Sequence, residues 1–525
     1  MKLSEFKGTT DMETFASAMK YLKEHPDSTL EIEPGTYTLT SDLAKEAQKN
    51  VMSGAYGIIP EDVMFDPAYK YTKGIEINGH KGTKIYGYGV TLMVDGFMEP
   101  VSVTDSENVE IYGITIDHVR KPYSRGQVVA TEQVGNNLKC TVKLDKDCPI
   151  EEGTPIRLRY NYFDKRHGYP LVSKQSDVKY IDNYHMEHTV YDNEQINIGD
   201  YYYTWHTFHS RPGILIERDK NILLCDVTIH SQPGMGIVGN RSENVTMKRL
   251  CVVPSVGHHV STNTDATHFT SIKGTLRYEN CTFLGQGDDS SNVHGYFQEI
   301  IEKISAKECI MQEKTPGGTH AQTLDYPDVG DMLELTDMDT LCVRETYTVI
   351  ECRPMPEKWC TRIVLDKALP ENTDRLAFID ITRLPRLEII GCNARNHIAR
   401  GILIKTRSAL IEGNTFEGIP LAGIEAAAEG WWYEGVCPAN VVIRRNRIVN
   451  CGCGILIKAD SEKADGQSIF NITVEDNIID CPFAEYGIYA RNVKGLKLAR
   501  NSIIAGGEAV KIECCTEVCI EGVEI

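Results

Sequence analysis

Short runs of alternating apolar and polar residues recur along most of the chain, each entered by Asn or another small polar residue. NVEIYGITID starts at Asn108, NILLCDVTIH at Asn221 and NVTMKRLCVV at Asn244. The design resumes in TLRYENCTF from Thr275, RLEIIGCNARN from Arg386, ALIEGNTFEG from Ala409 and NVVIRRNRIVNC from Asn440. It runs on through NITVEDNIIDC from Asn471, GLKLARNSII from Gly495 and EVCIEGVEI from Glu517. Where two units are consecutive their starts lie 22 to 31 residues apart. Each unit reads as two short strands around a polar or Gly-containing bend, with one face in and one out. Units of this kind cannot bury an inner face alone and have to stack, which predicts a parallel β-helix. A leucine-rich horseshoe would need a Leu/Asn consensus and a helical half-repeat, and neither is present.

Three stretches depart from the rhythm. TDMETFASAMKYLKEHPDSTLEIEPGTYTL reads as an amphipathic helix and a strand that cap the open end of the stack. From about Gly126 to Leu215, strands such as QVVATEQ and LKCTVKLD lead into a region rich in aromatics: Tyr160, Tyr162, Phe163, Tyr169, Tyr201, Tyr202, Tyr203 and Trp205. From about Thr319 to Leu384, GDMLELTD, DTLCVRETYTVIEC and TRIVLD suggest antiparallel β structure without the coil period. The organisation expected is therefore a cap and first coils over 1–125, an inserted β domain over 126–215, and central coils over 216–318. A second inserted β domain over 319–384 and C-terminal coils over 385–525 complete it. The insertions are small barrels or sandwiches, placed to wall a site on the solenoid side.

The 525 residues carry 55 Lys+Arg and 74 Asp+Glu, a formal net charge of −19. That excludes a phosphate-tracking nucleic-acid binder. No apolar run is long enough for a membrane span, and MKLSEFKGTTDME lacks the order of a secretory signal. The chain as it stands reads as cytoplasmic, and as secreted if a leader once preceded it. Its 17 Cys show no paired zinc-ligand spacing and read as reduced core thiols; Cys451/Cys453 and Cys514/Cys515 are the close pairs. No metal and no organic cofactor are expected.

The densest polar constellation is STNTDATH from Ser261, followed by GQGDDSSNVHG from Gly285. Asp265 and Asp288 are 23 residues apart, about one coil, so Asp265, Asp288 and Asp289 converge on one patch of the solenoid wall. Like charges so close raise at least one pKa and give an acid and a base in one site. A glycosidic bond needs that pairing: one carboxylic acid protonates the leaving oxygen while a carboxylate activates water or attacks the anomeric carbon. Gly-Asp-Asp alone is a common turn or calcium-loop fragment; the spaced Asp265 and the following Asn292 and His294 set this one apart.

NTD, GDD one coil later and then a His resemble the active-site pattern of the family 28 polygalacturonases. A closer likeness is to glycoside hydrolase family 110, the exo-α-1,3-galactosidases. DATHF (Asp265 to Phe269), QGDDSSNVHG (Gln286 to Gly295), GFMEPVSV (Gly96 to Val103), RGILIKTR (Arg400 to Arg407) and WWYEGVCPANVVIRRN (Trp431 to Asn446) are similar to that family's segments. The resemblance runs from Gly96 to about residue 450. It implies a right-handed parallel β-helix and an inverting, exo-acting α-galactosidase with Asp265, Asp288 and Asp289 as catalytic carboxylates. Asp265 is read as the acid, with Asp288 and Asp289 positioning and deprotonating water, and the reverse assignment stays open.

Around the carboxylates, Asn292 and His294 are candidates to bond sugar hydroxyls and His268 to orient Asp265. Lys405 could face the site, with its neighbours turned away by alternation. Glu425 and Glu429 could accept from sugar hydroxyls, and Trp431 and Trp432 could form a platform for the apolar face of galactose. His258 and His259, if on a strand, point to opposite faces, and Asp117 is a remote candidate. The expected partner is a galactose-terminated oligosaccharide or glycan, with no nucleic acid or membrane partner and a homo-oligomer open. A polygalacturonase-like hydrolase of a uronate-containing glycan, a calcium-dependent lyase of the pectate type and a non-catalytic carbohydrate-binding β-helix are the competing readings.

Overall fold

Asn residues at the coil entrances set the geometry of the stack. Asn108, Asn221, Asn244, Asn440 and Asn471 all take left-handed backbone angles, a region Asn tolerates better than most residues. Their side chains bond coil to coil, Asn221 Nδ2 to Asn108 Oδ1 at 2.9 Å, Asn244 to Asn221 at 3.1 Å and Asn471 to Asn440 at 3.1 Å. A second, buried ladder joins Asn414, Asn446, Asn477 and Asn501 at 2.9 Å per step. The computed structural model describes residues 1–66, 68–159, 177–190, 196–313, 324–461 and 463–524.

The coils form a parallel β-helix whose strands pair into one 31-stranded sheet. On one wall the inward residues stack in register from Ile75 through Val101, Ile214, Ile237, Thr267, Ser291, Ile402, Ile424, Ile455 and Ile488 to Val510. On the next wall, Ile111, Leu224, Met247, Tyr278, Ile389 and Ile411 do the same. Only two rungs of the first stack are polar. Thr267 and Ser291 are satisfied within the core by Tyr278, whose hydroxyl lies 3.0 and 2.9 Å from theirs. The helix Asp11–Glu24 covers the N-terminal end. Thr10 caps it by accepting from Glu13 N–H, and Phe15, Ala18, Met19 and Leu22 join the solenoid core. A further helix, Asp42–Met52, has no counterpart in the sequence reading; Ser41 caps it.

Two sheets of different design interrupt the coils. The first has six strands between Tyr123 and Trp205 and its own core around Val128, Val142 and Tyr202. Tyr160, Tyr162, Phe163 and Tyr169 lie outside the described residues. Tyr203 and Trp205 are buried where this insertion meets the coils, packed with Tyr123, Val260 and Ile398. His258 and His259 sit in a turn rather than on a strand, so the expectation of opposite faces does not apply. Both anchor the insertion instead, with Tyr123 Oη 2.9 Å from His258 and Tyr203 Oη 2.6 Å from His259. The second insertion is a closed six-stranded barrel that begins at Gln298 and ends at Asp380. Gln298–Ser305 and Glu308–Glu313 belong to it, so the insertion starts before the expected boundary at 319; antiparallel barrel strands and coil strands share a period of two. All 17 cysteines are free thiols, and some stack between coils, as with Cys281 N–H on Cys392 Sγ at 3.3 Å.

Candidate active site

A cavity of about 380 Å³ opens on the wall that carries the two polar core rungs. Coil register brings the aspartates together there. Thr267 lies opposite Ser291, an offset of 24 residues, so Asp265 comes level with Asp289 rather than with Asp288 as the raw spacing suggested. Ala266 N–H donates to the Asp289 carbonyl at 2.9 Å, and the Asp265 carbonyl accepts from Gly236 at 3.0 Å. Gly287 allows the approach: a Cβ there would stand 2.1 Å from the Asn263 carbonyl oxygen. Residues 286–290 precede the strand Ser291–Tyr296, so strand alternation does not separate Asp288 from Asp289, and both line the cavity. One carboxylate oxygen each from Asp265, Asp288 and Asp289 lie within 4.8 Å of one another.

Burial pushes the Asp265 carboxyl well above the ordinary carboxylate range, and the charges of Asp288 and Glu434 push it further. Asp289 is also raised by burial, but Arg400 opposes that. Arg400 donates its backbone N–H to Asp289 Oδ1 at 2.8 Å, and its Nε stands 3.4 Å from the same oxygen. Both carboxyls end well above the ordinary range, and of the two Asp289 is the one that accepts directly from Arg400.

The structure redistributes the neighbouring candidates. His268, Asn292, Glu429 and Trp432 line the cavity. Lys405 is fully buried beneath it, bonded to Asn292 Oδ1 at 3.1 Å, Glu429 at 2.7 Å and Glu434 at 2.6 Å. It therefore orders the floor rather than meeting a sugar. These glutamates keep its pKa raised in spite of burial. His294 is fully buried behind His268, with both ring nitrogens engaged, so it does not present itself to a hydroxyl. Glu425 is buried 3.9 Å from Arg400 and does not line the cavity. Trp431 is 61% exposed and points away from the cavity, because Gly430–Trp432 form a 3-10 turn that sends the paired tryptophans in different directions. Asp117 is held by Lys121, by Ser231 at 2.6 Å and by Ser255 at 3.0 Å, remote from the cavity lining.

Arg400 and Glu434 are the residues the sequence reading passed over. Ala399, just before Arg400, adopts a left-handed conformation ahead of the strand Ile402–Ile404, so counting alternation back from Lys405 misplaces Arg400. Glu434 returns through the same turn as the tryptophans and pairs antiparallel with Tyr296. Its only signal was proximity to the WWY cluster. The first insertion contributes as expected: Arg157 and His209 line the cavity, with Arg157 Nη1 3.0 Å from Glu61. Among the described residues, seven acidic residues and two arginines line it.

Among the described residues, two groups have donor atoms close enough to hold an ion, the three aspartates and His268/His294/Glu434. In the second, the two imidazole nitrogens stand 2.7 Å apart. Nitrogens sharing one tetrahedral zinc at about 2.0–2.1 Å would be roughly 3.3 Å apart, so that contact has the length of a hydrogen bond.

Residues 378–525 match the family described as right handed beta helix region. The chain is 26% identical to α-1,3-galactosidase A of Bacteroides thetaiotaomicron, over 97% of this chain and 94% of the relative. It is 26% identical to α-1,3-galactosidase A of Bacteroides fragilis (83% and 76% covered) and 25% identical to that organism's α-1,3-galactosidase B (82% and 79% covered). These relatives agree with the resemblance to glycoside hydrolase family 110. The tailspike protein of an E. coli bacteriophage is similar at a TM-score of 0.43, with 11% identity over 99% of this chain and 66% of that one.

Proposed function

We propose that this chain, related over nearly its whole length to curated α-1,3-galactosidases, is an inverting, exo-acting glycoside hydrolase that releases terminal α-1,3-linked galactose. The observation that carries the reading is the meeting of Asp265, Asp288 and Asp289, with oxygens within 4.8 Å, in one cavity of the solenoid wall. Asp265 gives its proton to the departing glycosidic oxygen as the bond to the anomeric carbon breaks. Water adds to that carbon and gives a proton to Asp289, which Arg400 contacts, while Asp288 orients the water. The nearest oxygens of the trio are closer than the about 6.5–9.5 Å between carboxyl groups that suits an inverting pair. Inversion therefore rests on the family resemblance, and the anomer of the first-formed sugar decides it.

Among the described residues, a lining of seven acidic residues against two arginines favours a neutral sugar over a uronate, which would meet repulsion along that wall. Galactose release from α-1,3-galactobiose tests the reading. Single Asp265→Asn, Asp288→Asn and Asp289→Asn variants are expected to lower kcat by about 10²–10⁴-fold. Near-full activity in all three would reject the site, and saturable binding without turnover by the wild type would favour the non-catalytic alternative.

A further inference from the structure

Beside the active cavity lies a second one of about 360 Å³, within the about 300–1,000 Å³ of small-molecule sites. Leu215 lines it and pairs with Val238, which pairs with His268 of the active cavity. The two linings are thus two rungs of the same wall, about 10 Å, apart. Leu215, Met235 and Val238 pack together, with Leu215 lining the second cavity and Met235 the first, so one layer of side chains divides them. Five aromatic residues line the second cavity: Phe65, Tyr69 and Tyr71 from the N-terminal segment, Tyr326 and Trp359 from the second insertion. Four of them are already engaged. Arg211 lies 3.8 Å from the Tyr71 ring centre and 5.6 Å from that of Phe65, Arg241 lies 4.1 Å from that of Tyr326, and Tyr69 meets Tyr56 edge-on. Trp359 is half-buried, and among the described residues its ring meets no other ring or cation and its indole N–H has no acceptor. The Lys73 ammonium, also in the lining, has no hydrogen-bond or ion-pair partner among them either.

The backbone holds that indole in place. Trp359 closes the 3-10 turn Pro356–Lys358 in a left-handed conformation, its N–H donating to the Pro356 carbonyl at 3.1 Å and its carbonyl accepting from Glu313 N–H at 3.0 Å. Gly or Asn would serve such a turn with less strain, so the turn does not account for the tryptophan. The charged lining is mixed: Lys73, Arg211, Arg218 and Arg241 against Asp66 and Glu217. Arg218 is held by Asp105 at 2.8 and 3.0 Å, and Arg241 by Asp328 at 3.0 Å. Their charges are therefore matched nearby, and the cavity offers donors and acceptors without a dominant sign. An open aromatic face edged by such groups complements a sugar ring, with its apolar face and its rim of hydroxyls. We propose that the second cavity is a saccharide-binding site that stacks an inner ring of the substrate glycan on Trp359, with Lys73 donating to its hydroxyls, while the terminal galactose fills the active cavity. This rests on the glycosidase reading above and extends it to a preference for oligosaccharides over a disaccharide, which fills the active cavity alone.

The test compares α-1,3-galactobiose with α-1,3-galactotetraose on the full chain. The wild type is expected to have the lower KM for the tetraose. Trp359→Ala and Lys73→Met are each expected to raise that KM by about three- to tenfold with kcat kept, and to leave both constants on galactobiose unchanged. Trp359→Tyr, which keeps a ring, is expected to recover most of the tetraose affinity. Normal galactobiose turnover with the same tetraose KM in wild type and variants would overturn the second site alone. Equal losses on both substrates, unrescued by Trp359→Tyr, would also overturn it by making Trp359 a structural residue. Calorimetry separates this site from the glycosidase reading, because it needs no turnover. In an Asp288→Asn background, adding Trp359→Ala is expected to weaken tetraose binding by about three- to tenfold and galactobiose binding not at all. That result supports the site even in a chain that releases no galactose, and equal tetraose affinity with and without the indole would overturn it.

Discussion

A carboxyl group buried among other carboxyl groups holds its proton more firmly in the folded chain than in the unfolded one, and that difference is a stability cost at neutral pH. Asp265 is such a group. Below the unfolded aspartate pKa of about 3.9 both states are protonated and there is no cost. As pH rises the unfolded chain releases its proton while the folded chain keeps it, so stability falls until the folded pKa is passed. An Asn at this position keeps a donor for His268 Nδ1 and removes the titration. Asp265→Asn is therefore expected to melt above the wild type at pH 7.5, with the gap closing toward pH 4, as measured by scanning calorimetry. A gap independent of pH, or of opposite sign, would contradict the assignment. The three aspartates were legible in the sequence because one coil length separates NTD from GDD. Arg400 and Glu434 were not, since Arg400 precedes the strand Ile402–Ile404 and Glu434 opens a two-residue strand after a 3-10 turn, where a period of two carries no information about direction.

At the level of elements, the repeat was legible because its inward residues are β-branched or aliphatic and its corners are Asn. The corner residues also stabilise the stack. Asn446 accepts from Asn414 N–H and Nδ2 at 3.0 and 2.9 Å, and donates to the Ile411 carbonyl at 3.0 Å and Asn477 Oδ1 at 2.9 Å. Asn446→Ala leaves these buried partners unsatisfied and is expected to cost about 3 kcal/mol, read as a lower urea midpoint with an unchanged slope. A change below about 0.5 kcal/mol would show that the ladder is incidental. The start of the second insertion was not legible. Glu308–Glu313 alternates as a coil strand does, and it is the antiparallel pairing of Gln298–Ser305 to Leu376–Asp380 and of Glu308–Glu313 to Cys360–Leu365 that places both in the barrel.

For the molecule as a whole, most of the chain is one solenoid interrupted twice. The net charge of −19 gains meaning at the cavity, where among the described residues acidic residues outnumber arginines, which suits the neutral glycan end of the proposed function. The solenoid supplies the backbone register that levels Asp265 with Asp289, and the first insertion and the turn at Gly430–Trp432 close the cavity around them. The account stands most directly on the stereochemistry of the product. Proton NMR of α-1,3-galactobiose cleavage, recorded before mutarotation, is predicted to show β-galactose as the first anomer formed. An initial α-galactose signal, or no release of galactose at all, would contradict it.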